Sequence, residues 1–223
     1  MPSKNRLRFA AIIFDLDGTL VDSAPDLCGV VNDMLQQHGR VVLDMDDIRK
    51  MVGDGAAKLI ERGFGATGGL PAPLPDLTRE FIRLYEARIA RETRPFPGVV
   101  ETLERFKAAG LKMGVCTNKT TPLSRRLLNE LDLTRFFTVV VGGDGPTRKP
   151  DRRHLEATMR ELETNADEAL MVGDSMNDVA VARNAGVEVV AVSFGYTTIP
   201  PRDLGADRVI DRFDQLNDVV FGT

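Results

Sequence analysis

From residue 97 to about residue 192 the chain alternates short apolar runs with helical patterns, and that alternation leaves few folds open. The runs are LKMGVCT, FFTVVVG, EALMVGD and VEVVAVS, with an earlier one, FAAIIF, near the start. Each is short and continuously apolar, as strands covered on both faces are. Between them GVVETLERFKAAG, TPLSRRLLNELDL, RRHLEATMRELE and MNDVAVARNAG carry helical periodicity. The first of these follows Pro97 and stops at Gly110, a pairing of helix-start and helix-stop signals. The pattern predicts an α/β fold, a Rossmann-like parallel sheet flanked by helices.

Residues 22–94 break the rhythm. APDLCGVVNDMLQQHG, DMDDIRKMVG, GAAKLIERG and LPDLTREFIRLYEARIARE are helical patterns, no strand is evident, and GFGATGGLPAPLPD reads as a Gly/Pro-rich loop. The expected division is an α/β core of residues 1–21 and 95–223 with an inserted α-helical cap of residues 22–94. Pro95 and Pro97 mark the return to the core.

Open parallel sheets bind ligands beyond the carboxyl ends of their strands. Four such ends are polar here: Asp15-Leu16-Asp17-Gly18-Thr19, Thr117-Asn118-Lys119, Arg148-Lys149-Pro150 and Gly173-Asp174-Ser175-Met176-Asn177-Asp178. Up to four carboxylates, those of Asp15, Asp17, Asp174 and Asp178, are expected to share one crevice. Like charges at close range repel, so the crevice needs a counter-charge. A hard divalent cation supplies it, and Mg²⁺ binds through a few carboxylates, waters and substrate phosphate. Lys149 adds a positive charge among the aspartates. Gly18 allows a sharp turn that presents backbone N–H groups to phosphate oxygens. Asp15 is then placed to attack phosphorus as a carboxylate, which needs no deprotonation. Asp17 can protonate the leaving oxygen and later deprotonate water, a role that burial and neighbouring carboxylates would favour by keeping it protonated.

Composition narrows the partners. A net charge of −4 argues against a broad basic face for nucleic acid. No run of 18 apolar residues suggests a membrane span, and MPSKNRLRFA lacks the apolar stretch of a signal peptide, so a cytoplasmic protein is expected. Cys28 and Cys116 fit no metal-ligand spacing and read as small core residues in a reducing compartment.

In order, DLDGTLVDS, TNK, KP and GDSMND resemble the four motifs of the haloacid dehalogenase superfamily of phosphotransferases, and the inserted module resembles its C1 cap. The resemblance spans nearly the whole chain. It implies Asp15 as nucleophile and Mg²⁺ ligand, and Asp17 as acid/base that also ligates Mg²⁺ through its backbone carbonyl. Thr117 and Asn118 would bind the transferring phosphoryl group, Lys149 would neutralise it, Asp174 would complete the metal site, and Asp178 would act from behind it. CTNK, GDS, VGDGAAKLIERG and SFGYT look like the phosphoglycolate phosphatases of that superfamily. Those enzymes often continue the third motif as Lys-Pro-x-Pro, where Arg152 stands here. The implied function is Mg²⁺-dependent hydrolysis of a small phosphorylated metabolite, 2-phosphoglycolate, through an aspartyl phosphate.

A β-phosphoglucomutase-like transferase, or a phosphatase for another small phosphometabolite, keeps the same aspartates. A non-catalytic phosphoacceptor also phosphorylates an aspartate at a strand end, but has no reason for a helical insertion. The start of the GDGAAK helix would face the site and hold a substrate carboxylate through its N–H groups, with Lys58 helping or merely solvated. Lys119 is a candidate for substrate contact. His38 and His154 read as ordinary surface or helix positions.

Overall fold

The structure, a computed structural model, describes residues 7–222. Most of the basic start of the chain, on which the expectation of no signal peptide rests, lies outside the described residues. No helix among them is long and apolar enough to cross a membrane.

The core is a six-stranded parallel sheet of β1 (Ala11–Phe14), β4 (Lys112–Cys116), β5 (Val139–Val141), β6 (Ala169–Gly173), β7 (Glu188–Val192) and β8 (Arg208–Ile210), in the order β5-β4-β1-β6-β7-β8. Five of these strands are the apolar runs of the sequence. Alternation along each strand feeds two separate cores. Ile12 and Phe14 join Met113, Val115, Leu170 and Val172 on one face, under helices α5 (Val99–Ala108), α6 (Thr121–Glu130) and α9 (Leu216–Phe221). Ala11 and Ile13 join Cys116 and Met171 on the other, under α7 (Arg152–Glu161) and α8 (Met176–Ala185). Cys28 and Cys116 are buried and unpaired.

Between the first core strand and α5 stand four helices: α1 (Ala24–Gln37), α2 (Met45–Met51), α3 (Ala56–Gly65) and α4 (Leu74–Glu86). Their entry and exit are tied by a two-residue antiparallel ribbon absent from the sequence reading, β2 (Val21–Asp22) pairing with β3 (Arg94–Pro95). The loop read as GFGATGGLPAPLPD is shorter than expected. Its first three residues continue α3, because Phe64 is fully buried and holds the helix through that point.

Candidate active site

Strand order reverses on either side of β1, so the crossovers leave it in opposite directions and open a crevice at its carboxyl end. Asp15 directly follows β1, Thr117 follows β4 and Asp174 follows β6, so this crevice collects all three. Asp15 still belongs to the ladder, its N–H donating to the Val172 carbonyl at 2.9 Å.

The chain then folds back on itself. The N–H groups of Thr19, Leu20 and Val21 donate to the Leu16 carbonyl, and the Gly18 N–H donates to the Val21 carbonyl. Gly18 has φ +83°, and a Cβ there would lie 2.5 Å from Asp174 Oδ2. Only glycine satisfies both the left-handed turn and the close approach.

This turn corrects one expectation. Asp15 and Asp17 both line the crevice, but among the described residues only three of the four carboxylates cluster, and Asp17 is not one of them. One oxygen from each of Asp15, Asp174 and Asp178 lies within 4.8 Å of the others, and all three residues are buried. Asp17 lines the same cavity but has its own partners, both its oxygens 3.0 Å from the Lys119 ammonium and Oδ1 also accepting from the Ser23 hydroxyl at 2.6 Å. Its immediate neighbour is the Lys119 ammonium.

Lys149 serves the trio. Its ammonium is 2.8 Å from Asp15 Oδ1 and donates to Asp178 Oδ1 at 2.6 Å. Burial disfavours that ammonium, but the two carboxylates outweigh it and hold Lys149 above its usual range. Burial raises the Asp15 carboxyl to about 6, with Lys149 opposing and Asp178 adding. Burial, Asp178 and Asp15 together push Asp174 well above the carboxylate range.

Asp178 carries two tasks, one per oxygen. Oδ1 anchors Lys149, while Oδ2 accepts from the Asp174 and Ser175 N–H groups and the Ser175 hydroxyl, closing the start of α8 as a capping box. Asp174 accepts from the Thr19 hydroxyl at 3.0 Å and the Tyr196 N–H at 2.7 Å. The Tyr196 hydroxyl reaches back to Asp22 and the Ala24 N–H, tying Asp174 to the ribbon.

The donor set suits a hard divalent cation. Three buried carboxylates cluster around one ammonium, which lies against Asp15 Oδ1 and Asp178 Oδ1 and leaves the trio with an excess of negative charge when ionised. Asp178 Oδ2 accepts from three protein donors and its Oδ1 from Lys149, whereas each Asp174 oxygen accepts from one neutral donor, which leaves Asp15 and Asp174 the freer carboxylates to hold an ion.

The other predicted residues divide by role. Asn118 spans the site: its Nδ2 donates to the Gly53 carbonyl at 3.0 Å and its Oδ1 accepts from the Lys149 N–H at 2.9 Å. Its side chain is therefore engaged in joining loops. Thr117 is buried, its Oγ1 accepting from the Lys119 N–H. Lys58 is half-exposed and paired with Glu61.

Three contributors were missed. Tyr85, from α4, is buried with its hydroxyl 3.0 Å from the Lys119 ammonium, and burial pushes the phenol up to about 12, so it stays neutral. Its position on the Leu77–Phe81–Tyr85 stripe reads as ordinary core. His154 is buried, not surface; Nε2 lies 3.2 Å from the Thr117 carbonyl, and burial lowers its basicity. The signal was present, since it shares the buried stripe of Leu155, Thr158 and Met159. Asn177 donates to Asp54 at 2.7 Å, and Arg62 pairs with the same carboxylate, fixing the loop before α3 against the core.

Gly53, Gly55 and Ala56, at the start of α3, line a cavity of about 50 Å³ with Asp15, Asp17, Thr117 and Lys119. Leu27, Leu59, Phe81 and Leu123 form its apolar walls.

The model of the haloacid dehalogenase-like hydrolase family matches residues 12–192. The phosphoglycolate phosphatase of Caulobacter vibrioides is 52% identical, the match covering 96% of this chain and 91% of that one. That of Agrobacterium fabrum is 43% identical over 94% of this chain and 91% of its own length. Among solved structures, a predicted phosphoglycolate phosphatase from Haemophilus somnus superposes with a TM-score of 0.90 at 30% identity, covering 95% of this chain and 98% of that one. CbbY from Rhodobacter sphaeroides, in complex with xylulose-(1,5)-bisphosphate, superposes with a TM-score of 0.80 at 25% identity, covering 93% and 96%.

Proposed function

The chain belongs to the haloacid dehalogenase-like hydrolases, and on that footing we propose that this phosphatase converts 2-phosphoglycolate to glycolate and phosphate through an aspartyl phosphate on Asp15. The observation that carries the reading is the buried Asp15 carboxylate at the strand-order reversal, held 2.8 Å from the Lys149 ammonium and facing a cavity that Asp17 and Lys119 also line.

In the first step an Asp15 oxygen forms a bond to phosphorus and the ester P–O bond breaks. The leaving oxygen keeps the electron pair and takes a proton from Asp17. In the second, Asp17 takes a proton from water, whose oxygen bonds phosphorus as the Asp15–phosphorus bond breaks. Lys149 lies against Asp15 throughout, offsetting charge as it develops. Thr117 offers its hydroxyl to a phosphoryl oxygen. Asp15, Asp174 and the Asp17 backbone carbonyl would hold Mg²⁺, which when bound neutralises the trio and draws charge from the phosphoryl oxygens.

For the rest of the substrate, the small cavity suits a two-carbon acid, and the α3 N–H groups suit its carboxylate. We read residues 22–94 as a cap hinged at the β2–β3 ribbon, whose closure excludes water from the developing charges.

The test is Mg²⁺-dependent phosphate release from 2-phosphoglycolate beside β-glucose 1-phosphate, phosphoserine and an aryl phosphate. A preference in kcat/KM of about a hundredfold or more, roughly 2.7 kcal/mol of transition-state discrimination, is expected. Comparable slow rates on all four would discard the named substrate and keep the chemistry.

A further inference from the structure

Lys119 has partners from both parts of the molecule. Its ammonium is 3.0 Å from each Asp17 oxygen and 3.0 Å from the Tyr85 hydroxyl oxygen, and it lies 4.5 Å from the centroid of the Tyr85 ring. Asp17 comes from the turn after β1, and Tyr85 from α4. Lys119 and Tyr85 are both buried, so neither polar group has solvent to fall back on.

In this arrangement both oxygens of Asp17 are occupied, Oδ1 twice over. A carboxyl that serves a leaving oxygen must have one of its oxygens within hydrogen-bond reach of it. An ammonium carries three donors, and a buried donor left without a partner costs far more than one exchanged between partners. Lys119 can therefore release an Asp17 oxygen only where another group takes up the donor. The Tyr85 hydroxyl is already in contact, and the ring face beside it attracts the same charge.

We propose that Tyr85 is a positioning residue for phosphoryl transfer: its hydroxyl holds the Lys119 ammonium on the α4 side, freeing one Asp17 oxygen to meet the leaving group. The inference rests on the reading of Asp17 as the acid. Tyr85 touches no reacting atom and acts through Lys119. Because α4 carries it, the arrangement exists only while α4 lies against the core, which ties proton delivery to the presence of the helical segment over the site.

Packing is the competing account, since Tyr85 also stacks on Phe81 with ring centroids 5.7 Å apart. Leaving groups separate the two. Glycolate must be protonated as the P–O bond breaks, whereas nitrophenolate departs as the anion with the electron pair and needs no proton from Asp17. Lost packing slows both substrates alike; lost positioning of Asp17 slows only the first.

The experiment compares single-turnover rates of phosphoryl transfer to the enzyme, with Mg²⁺, from 2-phosphoglycolate and from p-nitrophenyl phosphate. Wild type, Tyr85→Phe and Asp17→Asn are measured side by side. Tyr85→Phe keeps the ring and is expected to slow transfer from phosphoglycolate about tenfold while changing nitrophenyl phosphate less than about twofold. Its KM for phosphoglycolate should stay within about twofold of wild type. Equal slowing on both substrates, or none on phosphoglycolate, would overturn the inference. Asp17→Asn locates any failure. If it shows the leaving-group selectivity and Tyr85→Phe does not, the positioning role alone is wrong. If Asp17→Asn lacks the selectivity, the acid assignment falls and takes the inference with it.

Discussion

Two buried lysines stand at the carboxyl edge of the same sheet, and they are built differently. Lys149 touches only core carboxylates, Asp15 and Asp178, and its backbone N–H is held by Asn118. Lys119 is shared: Asp17 comes from the core and Tyr85 from the helical segment between β2 and β3. Both ammoniums sit above their ordinary range because nearby anions, or an anion and a phenol, outweigh burial. The half of the site around Lys149 is thus complete within the α/β core, whereas the half around Lys119 exists only with α4 in place. Under the proposed chemistry the first half would receive the phosphoryl group and the second would manage the proton.

The largest expected effect falls on the core half. Lys149→Met removes the one cation from among three buried carboxylates and should cost about a thousandfold in kcat. It should also destabilise the metal-free protein by roughly 3–5 kcal/mol, read by urea unfolding. A loss in activity below tenfold would break the comparison, because the two lysines would then be interchangeable.

Lys119→Met is expected to be milder, about ten- to a hundredfold in kcat. Asp17 is less deeply buried than the trio, so its stability cost should be the smaller of the two. A stability loss equal to that of Lys149→Met would show that both halves are equally core-built.

The smallest effect sharpens the electrostatics. Asp15 titrates near 6 in the folded metal-free protein and Asp174 is raised as well, so the fold favours their protonated forms. The stability they contribute is fully present below the unfolded carboxyl value and is lost as pH rises through the folded one. A cation that binds the ionised trio should restore it. Mg²⁺ at about a hundredfold its dissociation constant should raise Tm by roughly 5–10 °C at pH 7.5 and much less at pH 5. An equal increment at both pH values would place the ion away from these carboxylates.

Much of this was legible in the sequence because it is local. Strands covered on both faces write themselves as continuous apolar runs, and five of the six core strands were readable that way. The edge strand β8 was not: three residues with Arg208 exposed make no apolar run. The β2–β3 ribbon is two residues a side and owes its existence to a pairing across more than seventy residues. In the site, Asp15, Asp174 and Asp178 could be gathered because each lies at a strand end or helix start on one edge, whereas Lys149 stands not at the expected strand end but in the loop between β5 and α7. The place of Asp17 outside that cluster could not be read, since it depends on a backbone turn at Gly18 and a partner 102 residues away. Tyr85 looked like core from its spacing, and its packing is core; only its hydroxyl has a second use. His154 lies on a helix, one of its two expected placements, and is buried there, as its helical stripe indicates.

Under the proposed chemistry Asp15 is the group that accepts phosphorus within the core half. The most direct measurement is acid-quenched peptide mapping by mass spectrometry during turnover of 2-phosphoglycolate with Mg²⁺, paired with phosphate release by Asp15→Asn. The prediction is a phosphoryl adduct on the peptide at Asp15 in wild type, and no measurable release by the variant in a folded state that unfolds like wild type. Release by Asp15→Asn within about tenfold of wild type, far from the loss expected of a missing nucleophile, or an adduct on another residue, would contradict it.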